Sequence, residues 1–200
     1  APNAQVTAAS LGGQDIEAEG LTFARLADLA AIERCDVLCV PGGFGTTEAM
    51  LNAEFMAEIR RLGAGATYIT SVCTGSLILG AAGFLRGKRA ACHWAWRSLL
   101  EPFGAMVSEA RVERDGNVIT GGGVTAGIDF ALVMLAELAG QDYAEGVQLG
   151  LEYAPAPPFN AGRPELARPE VLAQVRAMIT TAVDSRAEAA RDAAARMAAA

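Results

Sequence analysis

The sequence predicts a doubly wound α/β fold, a mainly parallel sheet with helices on both faces. Three observations predict it. Short apolar runs of strand length alternate with longer segments of helical periodicity. The runs are continuously apolar, as strands buried on both faces are, rather than alternating. Three glycine-bearing loops directly follow strand-like runs, where parallel sheets bind ligands: Gly42-Gly43-Phe44-Gly45, Cys73-Thr74-Gly75 and Gly121-Gly122-Gly123.

Asp36 to Val40 reads as a buried strand ended by Pro41-Gly42-Gly43. Met50, Leu51, Phe55, Ile59 and Leu62 then recur at helical spacing. Glu48 stands near that helix's start, Arg60 and Arg61 near its end, and Gly63 can cap it. Thr67 to Val72 is a second buried strand, and Gly75 to Ala82 a helix stopped by Gly83. Arg89 to Cys92 reads as a third short strand, followed by a helix from about Trp94 to Glu101 that Pro102 ends. Arg111–Arg114 and Val118–Thr120 flank Asp115-Gly116-Asn117, a hairpin signal. An apolar helix follows from about Thr125 to Leu138, then a Pro-rich loop from Ala154 to Pro169. The last helix places Val171, Leu172, Val175, Met178, Ile179 and Val183 on one face and fades into a frayed Ala-rich tail, Ala193 to Ala200. No repeat or linker interrupts the chain, so residues 1–200 read as one domain.

Composition narrows the function. The 200 residues carry 16 Lys+Arg against 23 Asp+Glu, a net charge of −7, with no basic cluster for phosphate contacts. Nucleic acid is therefore not an expected partner. The 52% apolar content and mean hydropathy of +0.27 argue against disorder. Leu62 to Leu85 lacks any charge and is long enough to span a bilayer. Its five glycines and polar centre, Thr70 to Ser76, fit a buried strand, turn and helix better, so no membrane partner is expected. The four cysteines, Cys35, Cys39, Cys73 and Cys92, include no Cys-x-x-Cys pair, and His93 is the one histidine. No metal site is expected, and the thiols point to a reducing, cytoplasmic setting.

Cys73 carries the strongest chemical signal. Between a β-branched strand and a helix, with Ser71, Thr74, Gly75 and Ser76 around it, it fits a nucleophile elbow. A helix beginning there would favour the thiolate, so its pKa is expected below that of an ordinary thiol. A buried inert cysteine is the alternative. Gly42 and Gly43 can offer backbone N–H groups to a reacting atom, or simply form a turn. Gly122, in the third loop, is a candidate for the same substrate-binding surface. His93 could pair with the thiol or sit structurally beside Trp94 and Trp96. Asp129 suits the first turn of its helix. The triple glycine lacks dinucleotide-fingerprint spacing.

Together, Val40-Pro41-Gly42-Gly43, Thr70 to Ser76 and Ala91-Cys92-His93-Trp94 resemble the class I glutamine amidotransferase-like superfamily, in its PfpI/ThiJ branch. Thr120 to Phe130 and the long segment Leu151 to Gly162 are similar to the bacterial isocyanide hydratases of that branch. The resemblance implies a flavodoxin-like sandwich, a homodimer, and hydration of an organic isocyanide to an N-substituted formamide without cofactor. It casts Cys73 as nucleophile and Thr74 as its active-site neighbour, with the Thr74 and Gly43 N–H groups holding developing charge. Thr74 stands where some peptidase relatives carry histidine, which argues against peptidase chemistry.

The family pattern also places a first strand, and a carboxylate on the loop after it, ahead of the region seen here. The chain is expected to begin near the family's second strand, with Gln5 to Ala9 as its remnant and the first strand absent. Glu17 and Glu19 do not occupy the carboxylate's motif position. A non-catalytic ligand sensor and a redox or deglycase protein of the same superfamily are the competing readings. With a single C-terminal helix and an acidic charge, the DNA-binding domain such sensors carry is not expected here.

Overall fold

The computed structural model describes Ala1 and residues 3–199. Its strands are β1 (Ala9–Ser10), β2 (Ile16–Ala18), β3 (Leu21–Phe23), β4 (Ala27–Asp28), β5 (Val37–Val40), β6 (Tyr68–Val72), β7 (Arg89–Ala91), β8 (Met106–Ser108), β9 (Val112–Asp115) and β10 (Val118–Gly121). Its α-helices are α1 (Thr46–Leu51), α2 (Ala53–Gly65), α3 (Gly75–Ala81), α4 (Ala126–Ala139), α5 (Gln141–Gly150) and α6 (Pro169–Ala199). This is the mixed α/β architecture expected, with parallel strands at its centre.

The main sheet has the order β5-β6-β10-β9, with β5, β6 and β10 parallel and β9 antiparallel. Register sets Val40 beside Ser71, and Val72 beside Gly121. The loops after β5, β6 and β10 therefore leave the sheet at one end. Leu38, Val40, Ile69 and Val118 point to one face and join the larger core with α1, α2, α3 and the second half of α6. Val37, Tyr68, Val72 and Ile119 point to the other, against Phe130 and Met134 of α4. The period-two alternation of side chains explains how one apolar run serves both layers. Of the remaining strands, β1 pairs with β4 and β7 with β8, both in parallel. Only Ala9 of the expected Gln5–Ala9 remnant is in strand β1.

Several elements differ from expectation. The helix through Met50–Leu62 is two helices, broken at Asn52, whose side chain accepts the Phe55 N–H at 2.9 Å and caps α2. The helix expected over Trp94–Glu101 is a 3-10 helix over Arg97–Phe103, because Pro102 lies inside it and cannot supply an α-helical N–H. Helix α5 and the β2–β3 hairpin were not anticipated. Both are short, and the hairpin turns at Glu19-Gly20, both at positive φ.

The largest correction concerns α6. Its Ala-rich end is not frayed. It remains helical to Ala199, with Ala189, Ala190 and Ala193 buried in the core, whereas Ala200 lies outside the described residues. The apolar stripe expected to anchor the helix is less enclosed: Val171, Leu172, Ile179 and Val183 are half-buried, and Val175 and Met178 are exposed, Met178 to 76%. Small side chains allow the closest approach, so the helix packs by its alanines. Among the described residues no helix is long and apolar enough to cross a membrane, and the uncharged Leu62–Leu85 run spans the end of α2, β6 and α3.

Candidate functional site

Cys73 is the first residue after β6, and its φ is +61°. A non-glycine residue in this region is uncommon and is held there by its surroundings. Its N–H donates to the carbonyls of both Gly121 (3.0 Å) and Gly122 (2.9 Å). The bend is a strand–turn–helix elbow, and Gly122 supports it from behind.

Two glycines make room for the elbow. A Cβ on Gly42 would lie 2.6 Å from the Thr74 nitrogen and 2.9 Å from the Cys73 Cβ. A Cβ on Gly75 would lie 2.1 Å from the Val40 carbonyl oxygen. The β5 and β6 loops thus meet backbone to backbone, which only glycine permits.

Thr74 is buried, and its hydroxyl is the node of a short chain of bonds. The Gly43 N–H donates to Thr74 Oγ1 at 3.0 Å, and the hydroxyls of Thr46 and Thr74 are 2.9 Å apart. Thr46 Oγ1 donates to the Gly43 carbonyl at 2.8 Å. One consistent direction runs from Gly43 N–H to Thr74, from Thr74 to Thr46, and from Thr46 back to the Gly43 carbonyl. The Gly43 N–H expected to face a reacting atom is therefore engaged with Thr74. Gly42, Gly43, Cys73 and Thr74 do come together, as the sequence suggested.

The thiol itself differs from expectation. Burial pushes the Cys73 pKa up, above the ordinary thiol range. The Thr74 amide above all, with the charge of Arg186 and the Val124 amide, pulls in the opposite direction without overcoming it. Helix α3 has seven residues, and its short dipole does not reverse the desolvation.

His93 does not form the thiol–imidazole pair. Its Nδ1 accepts the Ala95 N–H at 3.2 Å, which leaves the proton of the neutral ring on Nε2. Burial, helped by Arg186, lowers its pKa, and no hydrogen bond joins it to Cys73 among the described residues. Its ring packs against Gly123, where a Cβ would meet His93 Cδ2 at 2.9 Å. It also packs against Trp96 in a tilted arrangement, with centroids 4.8 Å apart and planes at 52°.

Beside the elbow lies a cleft of about 260 Å³, lined by His93, Trp94, Gly122, Val124, Arg97 and Arg163 among others. His93 and Gly122 thus share one wall, although Cys73 does not line this cleft. The Pro-rich segment closes its outer side through Gly162 to Glu165. Of the aromatic residues, Trp94 lines the cleft and Trp96 is buried, while Phe44 and Phe159 are 73% and 80% exposed. Asp129 has a structural role beyond its helix dipole. It accepts Arg111 Nε at 2.7 Å and the Tyr153 hydroxyl at 3.1 Å, tying α4 to the loop before the Pro-rich segment. Glu17 and Glu19 lie on the exposed β2–β3 hairpin.

Sequence reasoning missed Arg186. This arginine of α6 is 3% exposed and reaches the elbow region from more than a hundred residues downstream. Its one usable sequence signal is a cation amid alanines, Ala182 to Ala190, on a helix whose small residues pack.

The comparisons agree with this geometry. A model of the DJ-1/PfpI family matches residues 3–137. The isonitrile hydratase of Pseudomonas putida is 52% identical over 162 residues, covering 81% of this chain and 71% of its own. The DJ-1beta protein of Drosophila melanogaster is 29% identical over 153 residues, covering 74% of this chain and 81% of its own. A crystal structure of a ThiJ/PfpI family protein from Pseudomonas syringae superimposes with a TM-score of 0.87 at 45% identity, covering 92% of this chain and 77% of that one. With the elbow, the parallel sheet and two thirds of the chain in agreement, the chain belongs to the DJ-1/PfpI family.

Proposed function

We propose that this chain is an isocyanide hydratase, converting R–N≡C and water to the formamide R–NH–CHO, with Cys73 as nucleophile. The observation that carries the reading is the 52% identity to a protein named for that activity, in a chain whose own elbow presents a cysteine at φ +61°. The isocyanide carbon is a soft electrophile and suits sulfur. Cys73 Sγ bonds to that carbon while the thiol proton ends on the same carbon, giving the thioimidate Cys73–S–CH=N–R. Water then adds to the C=N carbon. The tetrahedral intermediate collapses with C–S cleavage, the formamide leaves, and the thiol regains its proton.

The Thr74 and Val124 amides support charge as it develops on the sulfur side of this reaction. A protonated resting thiol is compatible with the first step, since the substrate carbon needs both a nucleophile and a proton. Neutral His93 and Gly122 contribute to the substrate wall beside the elbow. The reaction as written consumes only water and needs no redox partner or metal. A homodimer and a cytoplasmic setting complete the proposal, as does a single domain spanning residues 1–200.

Incubation with cyclohexyl isocyanide, followed by detection of N-cyclohexylformamide, tests the reading. Turnover is expected for the native chain, and loss to background for Cys73→Ala with thermal unfolding unchanged. Binding without turnover would instead indicate a ligand sensor, and indifference to the compound a redox or deglycase protein. Full activity in Cys73→Ala would end the mechanism.

A further inference from the structure

Helix α6 lies beyond residues 3–137, the segment matched by the family, yet it sends Arg186 into the candidate site. Arg186 Nη2 donates to the carbonyls of Gly43 and Phe44, each at 3.1 Å, and Nε donates to Thr47 Oγ1 at 3.1 Å. Its guanidinium lies 4.9 Å from the centroid of Trp96. Among the described residues it makes no ion pair with a carboxylate.

A buried guanidinium cannot shed its proton, so its charge must be stabilised where it stands. Carbonyl oxygens, a hydroxyl and an aromatic face do part of this. What remains is a positive field directed at its neighbours. The titratable groups around it are Cys73 from the elbow, Cys92 and His93 beyond β7, and Glu48 from α1. Arg186 holds Gly43 at its carbonyl while Thr74 holds it at its N–H, so the two side chains together fix this residue.

We propose that Arg186 is a positioning residue for Cys73: it clamps the Gly43–Phe44 loop against Thr74 and supplies the fixed positive charge that supports a thiolate at the elbow. The proposal rests on the reading of Cys73 as the reactive thiol. It makes α6 part of the site as well as a cover for the core. The two contributions separate by substitution. Arg186→Gln removes the charge and most of the clamp. Arg186→Lys keeps the charge but cannot serve both carbonyls and Thr47 together.

The test is the rate of iodoacetamide labelling at Cys73, resolved by mass spectrometry between about pH 6 and pH 10, alongside formamide production. Cys39 is the internal control, since it is exposed and outside the field of Arg186. In Arg186→Gln the Cys73 midpoint is expected to rise by about one unit, roughly a tenfold loss of labelling rate below it. The Cys39 profile should be unchanged. In Arg186→Lys the midpoint should return towards the native value while formamide turnover stays low. An unchanged Cys73 midpoint in folded Arg186→Gln overturns the proposal, as does an equal shift at Cys39. If Arg186→Gln does not fold, Arg186→Lys decides: native turnover and a native midpoint together overturn it. Failure of native Cys73 to label would instead defeat the nucleophile reading, leaving the two outcomes distinct.

Discussion

Strands β6 and β7 each run directly into a cysteine, and the two cysteines meet opposite fates. Cys73 follows Val72, turns at φ +61° and stays half-buried at the mouth of the loops. Cys92 follows Ala91 without a left-handed turn and is buried in the larger core. Both lie in the field of Arg186, and the charge of Cys73 adds to the rise at Cys92. Burial raises both pKa values, but Cys92 far more, because it is wholly enclosed and Cys73 is partly relieved by Thr74, Arg186 and Val124. The difference is made by the backbone bend and its donors, not by the residue type.

The sharpest way to break this comparison is to place serine at both positions. Cys73→Ser is expected to reduce formamide production by about three orders of magnitude or more with little change in stability. Cys92→Ser should do the reverse, retaining turnover and costing about 1–3 kcal/mol in urea unfolding, because a buried hydroxyl must find a partner. Equal effects in both variants would erase the distinction.

Next in size is the packing that creates the bend. Gly42→Ala sets a Cβ 2.6 Å from the Thr74 nitrogen, 2.8 Å from the Thr74 hydroxyl and 2.9 Å from the Cys73 Cβ. Overpacking there should cost about 1–3 kcal/mol of stability. Displacement of the elbow by a fraction of an ångström should lower turnover by about tenfold to a hundredfold. The check is turnover beside a thermal melt, and native values in both would show that the close approach is not needed.

The smallest expected effect is a pH dependence. The folded-state pKa of Cys92 lies far above the ordinary thiol value of about 8.5. The unfolded chain therefore releases that proton first. The contribution is fully present below about pH 8.5 and is lost progressively as pH rises from there towards the folded value. Urea unfolding from about pH 7 to 10 should show this decline, and Cys92→Ala should lessen it, leaving the smaller part due to the other thiols. His93 works with the opposite sign. Burial depresses its pKa, so its contribution holds above about pH 6.5 and is lost as pH falls below that.

Much of this architecture is legible in local pattern. The apolar runs around β5, β6 and β10 specify strands because continuous apolarity suits a sheet covered on both faces. The hairpin across Asp115-Gly116-Asn117, the helix after Gly121–Gly123 and the cysteine elbow all follow from short-range steric rules. Other features depend on partners distant in sequence. Cys73 reads as an acidified thiol because a helix follows it, but its actual burial depends on how loops and α6 close around it. His93 reads as a possible base until Ala95 claims its Nδ1.

Helix α6 marks the division most clearly. Periodicity correctly places a helix near the end of the chain, since backbone propensity and side-chain spacing are local properties. It assigns the wrong packing half, because Val175 and Met178 are more apolar than Ala189 and Ala190 and yet more exposed. Hydrophobicity measures how strongly a side chain favours leaving water, whereas tertiary packing selects what fits between α1 and the 3-10 helix. The sequence by itself determined the order of strands and helices, the glycines at the crossing loops and the position of Cys73. Only the tertiary structure decided which alanines face the core, and that choice is what carries Arg186 to the Gly43 carbonyl.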